Sequence, residues 1–173
     1  MTHLIKIPRK RRRKNKTDYK SRFSLLKSSA KRIVVRRTNR YVLLQLVETI
    51  EAQDKILRGI SSKQLIENGW DAKLSGSLKS IPACYLTGMS FAKLLDKKER
   101  YIVDLGMARN VKGSRLFAVI NGLIDGGVEI KVKKESLPPQ EKLEGKHTKK
   151  GIDALIKKIK AKLGPGVKDE QRK

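Results

Sequence analysis

Three observations predict an α/β domain with a mixed sheet, carrying a basic extension at each end. The first is a series of short runs rich in Val, Ile and Leu, at 32–36, 41–50 and 55–60, parted only by the polar breaks "RTNR" and "EAQD". Connections that short fold as an antiparallel meander. The second is the alternation of helix-like and strand-like segments from residue 82 onward, the pattern of strand-helix connections within one sheet. The third is charge. Residues 1–40 hold 16 basic and 1 acidic residue, residues 41–130 hold 12 and 10, and residues 131–173 hold 14 and 6. The middle is close to neutral and can fold on itself, whereas the two ends account for nearly all of the net +25.

Residues 1–16, ending in "RKRRRKNK", show neither helical nor strand periodicity. Like charges this dense hold a free segment extended, so it reads as an arm that orders on its partner. Thr17 is a good N-cap and Asp18 suits a first turn, while Tyr19, Phe23 and Leu26 recur at helical spacing. A short basic helix to about residue 27 follows from this. After the three meander strands, "IENGWDAKLSGSLKS" reads as a loop with a tight turn at Asn68-Gly69, and Trp70 as the cover of a sheet edge.

"PACYLTGMSFAKLL" is apolar almost all round, with Pro82 in a first-turn position, and predicts a helix buried against a sheet, with Gly88 and Ala92 permitting close approach. "YIVDLG" reads as a central strand and "MARNVKGS" as a loop. Ser114 then caps a helix "RLFAVINGLID" that stops at Gly126-Gly127, and "VEIKV" reads as one more strand. Near the C-terminus, Ile152, Leu155, Ile156, Ile159 and Leu163 share one stripe at helical period with lysines opposite, a basic amphipathic helix over about 152–163 ended by Gly164-Pro165. The segment "GVKDEQRK" is then a loose terminus.

A chain this basic repels itself unless a polyanion supplies the missing charge; nucleic acid leads over an anionic membrane surface. No stretch approaches the roughly 20 apolar residues of a membrane span, and the start lacks a secretory signal's apolar core, so a soluble protein is expected. An Arg-rich transit peptide competes as a reading of the start, but Ser is absent from the first 20 residues. Cys84 is alone, which fits a reducing interior and a small core residue.

Catalysis finds little support. His3 and His147 lie in opposite arms, and no Cys/His spacing suits a metal. Gly106 and Gly113 miss the phosphate-loop spacing, which leaves a plain strand-to-helix connection. Asp104, Asp125, Glu48 and Glu129 are the carboxylates that a metal-dependent nuclease of ribonuclease H-like fold would need at its strand ends. That enzyme is the alternative reading, and a nonspecific basic RNA chaperone is a third. Polar residues mixed among the basic ones, including Asn15, Thr17, Tyr19, Thr38, Asn39 and Tyr41, suit the 2′-hydroxyls and unpaired bases of folded RNA. No recognition-helix or zinc-finger pattern for duplex DNA is present.

The segments "RRRKNKTDYKSRFSLLKS", "RIVVRRTNRYVLLQLV", "NGW", "IPACYLTGMSFAKLL", "VDLGM" and "GSRLFAVINGLIDGGVEI" occur in that order. Together they resemble the L eighteen family of large-subunit ribosomal proteins, in its archaeal type, over about residues 6–130; "PPQEKLEGKH" resembles that type's extension. The resemblance implies a three-layer α/β domain related to the ribonuclease H-like fold but without catalysis, needing no cofactor, metal, membrane or small-molecule substrate. It implies a cytoplasmic component of the large ribosomal subunit that binds 5S ribosomal RNA, touches 23S ribosomal RNA and helps join the two at the central protuberance beside neighbouring ribosomal proteins. Departures from the family pattern are Lys31 where Pro is common, "TNRY" at the hairpin turn, Leu44 at a place often given to a small residue, and "VEIKVKKE" without the usual Pro-His.

The chain then divides into an RNA-binding arm at 1–16, a 5S RNA-binding domain with its leading helix at 17–132, and a basic extension at 133–173. Candidate RNA-binding residues are Arg9, Arg11, Arg12 and Arg13 of the arm, and Asn15, Thr17, Tyr19, Arg22 and Lys27 around the first helix. Arg32, Arg36, Arg37, Thr38, Asn39 and Arg40 of the hairpin follow, with Ser114 and Arg115 at a helix start. Within the hairpin, Ile33, Val35, Val42 and Leu44 are expected to anchor a rigid strand pair that presents the charged turn.

Overall fold

The computed structural model describes residues 7–51, 53–146 and 152–164. His3, His147 and the terminus at 166–173 lie outside the described residues. Strands β1 (Arg32–Arg37), β2 (Val42–Ile50) and β3 (Gln53–Ser61) form the antiparallel meander, and β4 (Ile102–Asp104) joins β1 in parallel, giving a mixed sheet of order β3-β2-β1-β4. Alternation along the strands sorts their side chains. Ile33, Val35, Val42, Leu44 and Leu46 face the core, and Arg32, Val34 and Arg36 take the other face. The β2–β3 connection is two residues long and holds Glu51 at φ 49°, the left-handed turn that matches strand twist.

Helices α3 (Ile81–Ala92) and α4 (Arg115–Asp125) cover the core face. Ser80 caps α3 through Ala83, and Pro82 occupies its first turn, where the missing N–H costs nothing. Glycine fixes how closely the two helices pack: a Cβ at Gly88 would strike the Val119 carbonyl oxygen, one at Gly122 the Tyr85 carbonyl oxygen, and one at Gly126 the Ala92 Cβ. Contacts advance together along both helices, so α3 and α4 run parallel with their N-termini at one end. The close approach foreseen at Gly88 and Ala92 is thus to a helix.

The N-terminal segment is not wholly extended. Residues Lys10–Arg13 close a single helical turn, α1, and the chain reverses at Asn15 with φ 49°. Helix α2 (Tyr19–Leu26) is capped one residue later than expected: Asp18 accepts hydrogen bonds from the Lys20 and Ser21 amides, because a carboxylate at this place meets two free N–H groups. Trp70 is buried in the core, its Nε1 donating to the Leu74 carbonyl at 3.4 Å. Two 3₁₀ turns, Ser62–Leu65 and Ala72–Ser77, fill the region read as loop.

Two strand expectations require correction. β4 lies at the sheet edge among the described residues, not at its centre, because residues 128–132 add no further strand. Their alternating pattern is used in another way. Val128 is buried and Ile130 partly buried against the core while the backbone stays out of the ladder and passes into a 3₁₀ turn at Lys134–Ser136. The following segment, with α5 (Gln140–Leu143), crosses the start of α4: the Gly113 amide donates to the Ser136 carbonyl at 2.9 Å. Helix α6 (Ile152–Lys162) buries Ile152, Ile156 and Ile159 in the same core as α3, and Gly164 follows with φ 76°.

Candidate nucleic-acid interface

Every loop that follows the C-terminal end of β1 or β4, or precedes α3 or α4, opens at the same end of the molecule. The β1–β2 turn is closed by Thr38, whose amide and hydroxyl both donate to the Tyr41 carbonyl at 2.8 Å and whose hydroxyl accepts from the Tyr41 amide at 3.0 Å. Thr38 is therefore occupied within the turn and has little left for an outside partner. Asn39 and Arg40 stand exposed at the tip, and Asn39 has no left-handed backbone. Lys79, one residue before the cap of α3, donates to the Asn39 carbonyl at 2.9 Å and pins the tip to the helix layer.

Arg37 pairs with Val42 across the hairpin and so shares the core-facing side, with its guanidinium beyond the core and exposed. Burial pushes the Cys84 thiol up to about 12, and the positive charges of Arg115 and Arg37 pull it back. Both arginines thus stand near the start of α3. Arg37, Arg40, Lys79 and Arg115 form a basic rim around two helix N-termini, a place where backbone N–H groups already favour anions. Ser114 does not join it. The residue occupies the N-cap position of α4, yet its hydroxyl is buried without a hydrogen bond in the corner that the C-terminal segment crosses.

Arg32 leaves the candidate interface altogether. Its side chain is 1% exposed, and the guanidinium donates to Asp104 Oδ2 at 3.2 Å, Asp54 Oδ1 at 2.7 Å and Thr49 Oγ1 at 2.8 Å. A buried arginine with three partners neutralises carboxylates within the fold and has nothing to offer a phosphate. Asp104 accepts also from Arg36 Nη2 at 3.1 Å and from the Gly106 amide at 2.7 Å, so this strand-end carboxylate is fully used inside the protein. Asp54 accepts two more bonds, from the Thr49 hydroxyl at 2.8 Å and from Arg22 of α2 at 2.9 Å. Burial pushes the Asp54 carboxyl upward, but the Thr49 hydroxyl, Arg22 and Arg32 outweigh it and hold it below the usual range. Arg22 thereby ties α2 to the second face of the sheet, and its charge is partly spent.

The arm lies alongside. Arg11 Nε donates to Thr17 Oγ1 at 2.8 Å, so Thr17 holds the arm where it was expected to cap the helix. Arg9 sits 5.1 Å over the Tyr19 ring and Lys27 4.9 Å over the Phe23 ring. Arg12, Arg13 and Asn15 are exposed. Between arm and α2 on one side, and the end of β1 with the loop after β4 on the other, runs a cleft of about 380 Å³ lined by Arg11, Lys16, Arg36, Arg37, Gly106 and Met107 among others. Sequence reasoning missed Lys79 and Gly106. A lysine just ahead of a helix cap marks the first, whereas the second depends on what packs above it.

Among the described residues no cluster of His, Cys, Asp or Glu is arranged to hold a metal ion, and no helix is long and apolar enough to cross a membrane. The profile of the family described as "Ribosomal large subunit proteins 60S L5, and 50S L18" matches residues 4–101. "Large ribosomal subunit protein uL18" of Methanoculleus marisnigri is 41% identical over 143 residues, which covers 82% of this chain and 79% of that protein. The protein of the same name in Methanoregula boonei is 39% identical over 140 residues, at 80% and 78% coverage. In Korarchaeum cryptofilum it is 39% identical over 144 residues, at 82% and 72%. A basic rim held by a rigid hairpin, Asp104 spent in internal ion pairs, and relatives aligned over four-fifths of the chain agree: this chain belongs to the family of large-subunit ribosomal proteins 60S L5 and 50S L18, a structural family without enzymatic activity.

Proposed function

We propose that this ribosomal protein binds 5S ribosomal RNA through the basic end of its α/β domain and helps attach that RNA to 23S ribosomal RNA at the central protuberance. The observation that carries the reading is the hairpin tip. Ile33, Val35, Val42 and Leu44 are fully buried beneath it, Thr38 closes its turn and Lys79 braces it, so Arg37, Asn39 and Arg40 are held at a fixed distance from the core. A surface ordered in advance loses little entropy on binding a backbone of matching shape. Arg37 and Arg40 take phosphates, Asn39 reaches a sugar or base edge, and Arg115 extends the phosphate track along the helix starts. The arm, with Arg9, Arg11, Arg12, Arg13 and Asn15, follows neighbouring ribosomal RNA.

The test is affinity for 5S ribosomal RNA at fixed salt. Arg37→Glu combined with Arg40→Glu weakens binding by about 1–3 kcal/mol for each charged hydrogen bond removed, while the melting temperature hardly moves because both side chains are exposed. Unchanged affinity in a folded double variant would overturn the assignment. Asn39→Gly removes only the amide and asks no special backbone conformation. A lower preference for 5S over transfer RNA in that variant marks Asn39 as a reader of the RNA.

A further inference from the structure

We propose that the cleft between the arm and the β1–β4 edge takes one unstacked ribonucleotide, its base lying flat on the guanidinium of Arg36. This rests on the RNA-binding reading above and goes beyond it, because it gives Arg36 a task other than holding a phosphate. Arg36 Nη1 donates to the Val35 carbonyl at 2.9 Å and to the Asp104 carbonyl at 2.8 Å, and Nη2 donates to Asp104 Oδ1 at 3.1 Å. Three in-plane bonds fix the orientation of the group and use most of its edge. What remains open is a face.

Gly106 settles which face. A Cβ built there would lie 2.9 Å from Arg36 Cζ, 3.0 Å from Nη1 and 3.2 Å from Nη2. Near-equal distances to three atoms of one plane mean that the Gly106 backbone sits above that plane, in contact with one side of it. Gly106 has φ 63°, so any other residue would strain the backbone as well as displace the guanidinium. The side chain of Arg36 is nevertheless 43% exposed and lines the cleft. The part of the group left exposed borders the cleft.

A guanidinium plane anchored at its edge and backed by a glycine is a stacking platform, and arginine planes carry unpaired bases in folded RNA. The surroundings suit a nucleotide. Arg11 and Lys16 line the cleft for the phosphates on either side of the base, and exposed Met107 offers an apolar border. A volume of about 380 Å³ holds one such group and falls near the small end of ligand sites, about 300–1,000 Å³. A volume that holds one nucleotide does not admit a stacked duplex, so the base must come from a bulge or a loop.

The full chain is assayed against two probes, a hairpin RNA with one unpaired adenine in its stem and the same hairpin fully paired. Wild-type protein binds the bulged probe about tenfold more tightly, the size of one base–side-chain stack. Arg36→Lys keeps the charge and loses the plane, and brings the ratio of affinities to about one. Gly106→Ala, which pushes a Cβ into the guanidinium, lowers the ratio in the same way. With 2-aminopurine as the unpaired base, the fluorescence change on binding is present with wild-type protein and absent with both variants. A ratio that survives both substitutions, or a weakening of equal size on both probes, overturns the proposal. Equal binding of the two probes by wild-type protein also overturns it while leaving RNA binding intact; failure to bind either probe overturns the RNA-binding reading itself.

Discussion

Arg32 and Arg37 stand five positions apart on one strand and have opposite tasks. Strand alternation sends Arg32 onto the second face of the sheet, where Asp104 from β4 and Asp54 from β3 converge on it. Arg37 emerges at the tip, exposed, and forms no ion pair among the described residues. Removing the first empties a buried position and leaves Asp104 and Asp54 to their remaining partners, Arg36 with the Gly106 amide and Arg22 with Thr49, whereas removing the second touches only solvent. Arg32→Ala is therefore expected to cost about 1–3 kcal/mol in urea denaturation, and Arg37→Ala within about 0.5 kcal/mol of nothing. Equal effects would show that the buried network does not hold the sheet together. In the sequence both residues look like RNA ligands, since charge is local and its partner is not: Asp104 lies 72 residues away from Arg32. Arg37, Asn39 and Arg40 were legible because a turn between two apolar strands has nowhere to place them but outside.

At the scale of elements, periodicity served well wherever packing and pattern agree. The meander, α3, α4 and α6 follow from the pattern of apolar residues, and Gly88 and Ala92 of α3 mark a close approach before any partner is known. Residues 128–132 show the limit, because alternation records which side chains are buried and not whether the backbone finds a ladder. Helix α6 poses the converse case. Its stripe announces a partner without naming it, and the partner is the domain itself, with Ile152, Ile156 and Ile159 in the common core and Lys160 Nζ 5.5 Å over the Tyr85 ring. Ile156→Ala is expected to destabilise the whole domain by about 2–5 kcal/mol in a single cooperative transition. A helix tethered loosely to the rest would melt alone and leave the main transition where it was.

For the whole molecule, charge and fold divide the labour. The nearly neutral middle, with β1 ahead of it, builds the sheet and its two covering helices, while the arm contributes cations that the core does not need. Deleting residues 1–16 is expected to leave the far-ultraviolet spectrum of the domain nearly unchanged and to flatten the dependence of log K on log salt, by about 0.7–0.9 in slope for each phosphate that the arm neutralises. An unchanged slope would show that the arm does not touch the RNA. Composition shows where the charge lies; the place of the C-terminal segment was not legible, because nothing in a lysine-rich stretch says that it will cross the start of α4 and dock beside α3. That docking sets an order of events during synthesis. Since α6 is the last described element along the chain and fills part of the core, a nascent chain that has produced α3 and α4 still exposes the apolar surface that α6 will cover. The domain is complete only once α6 has been made and released from the exit tunnel, and until then that surface is open to aggregation or to a chaperone.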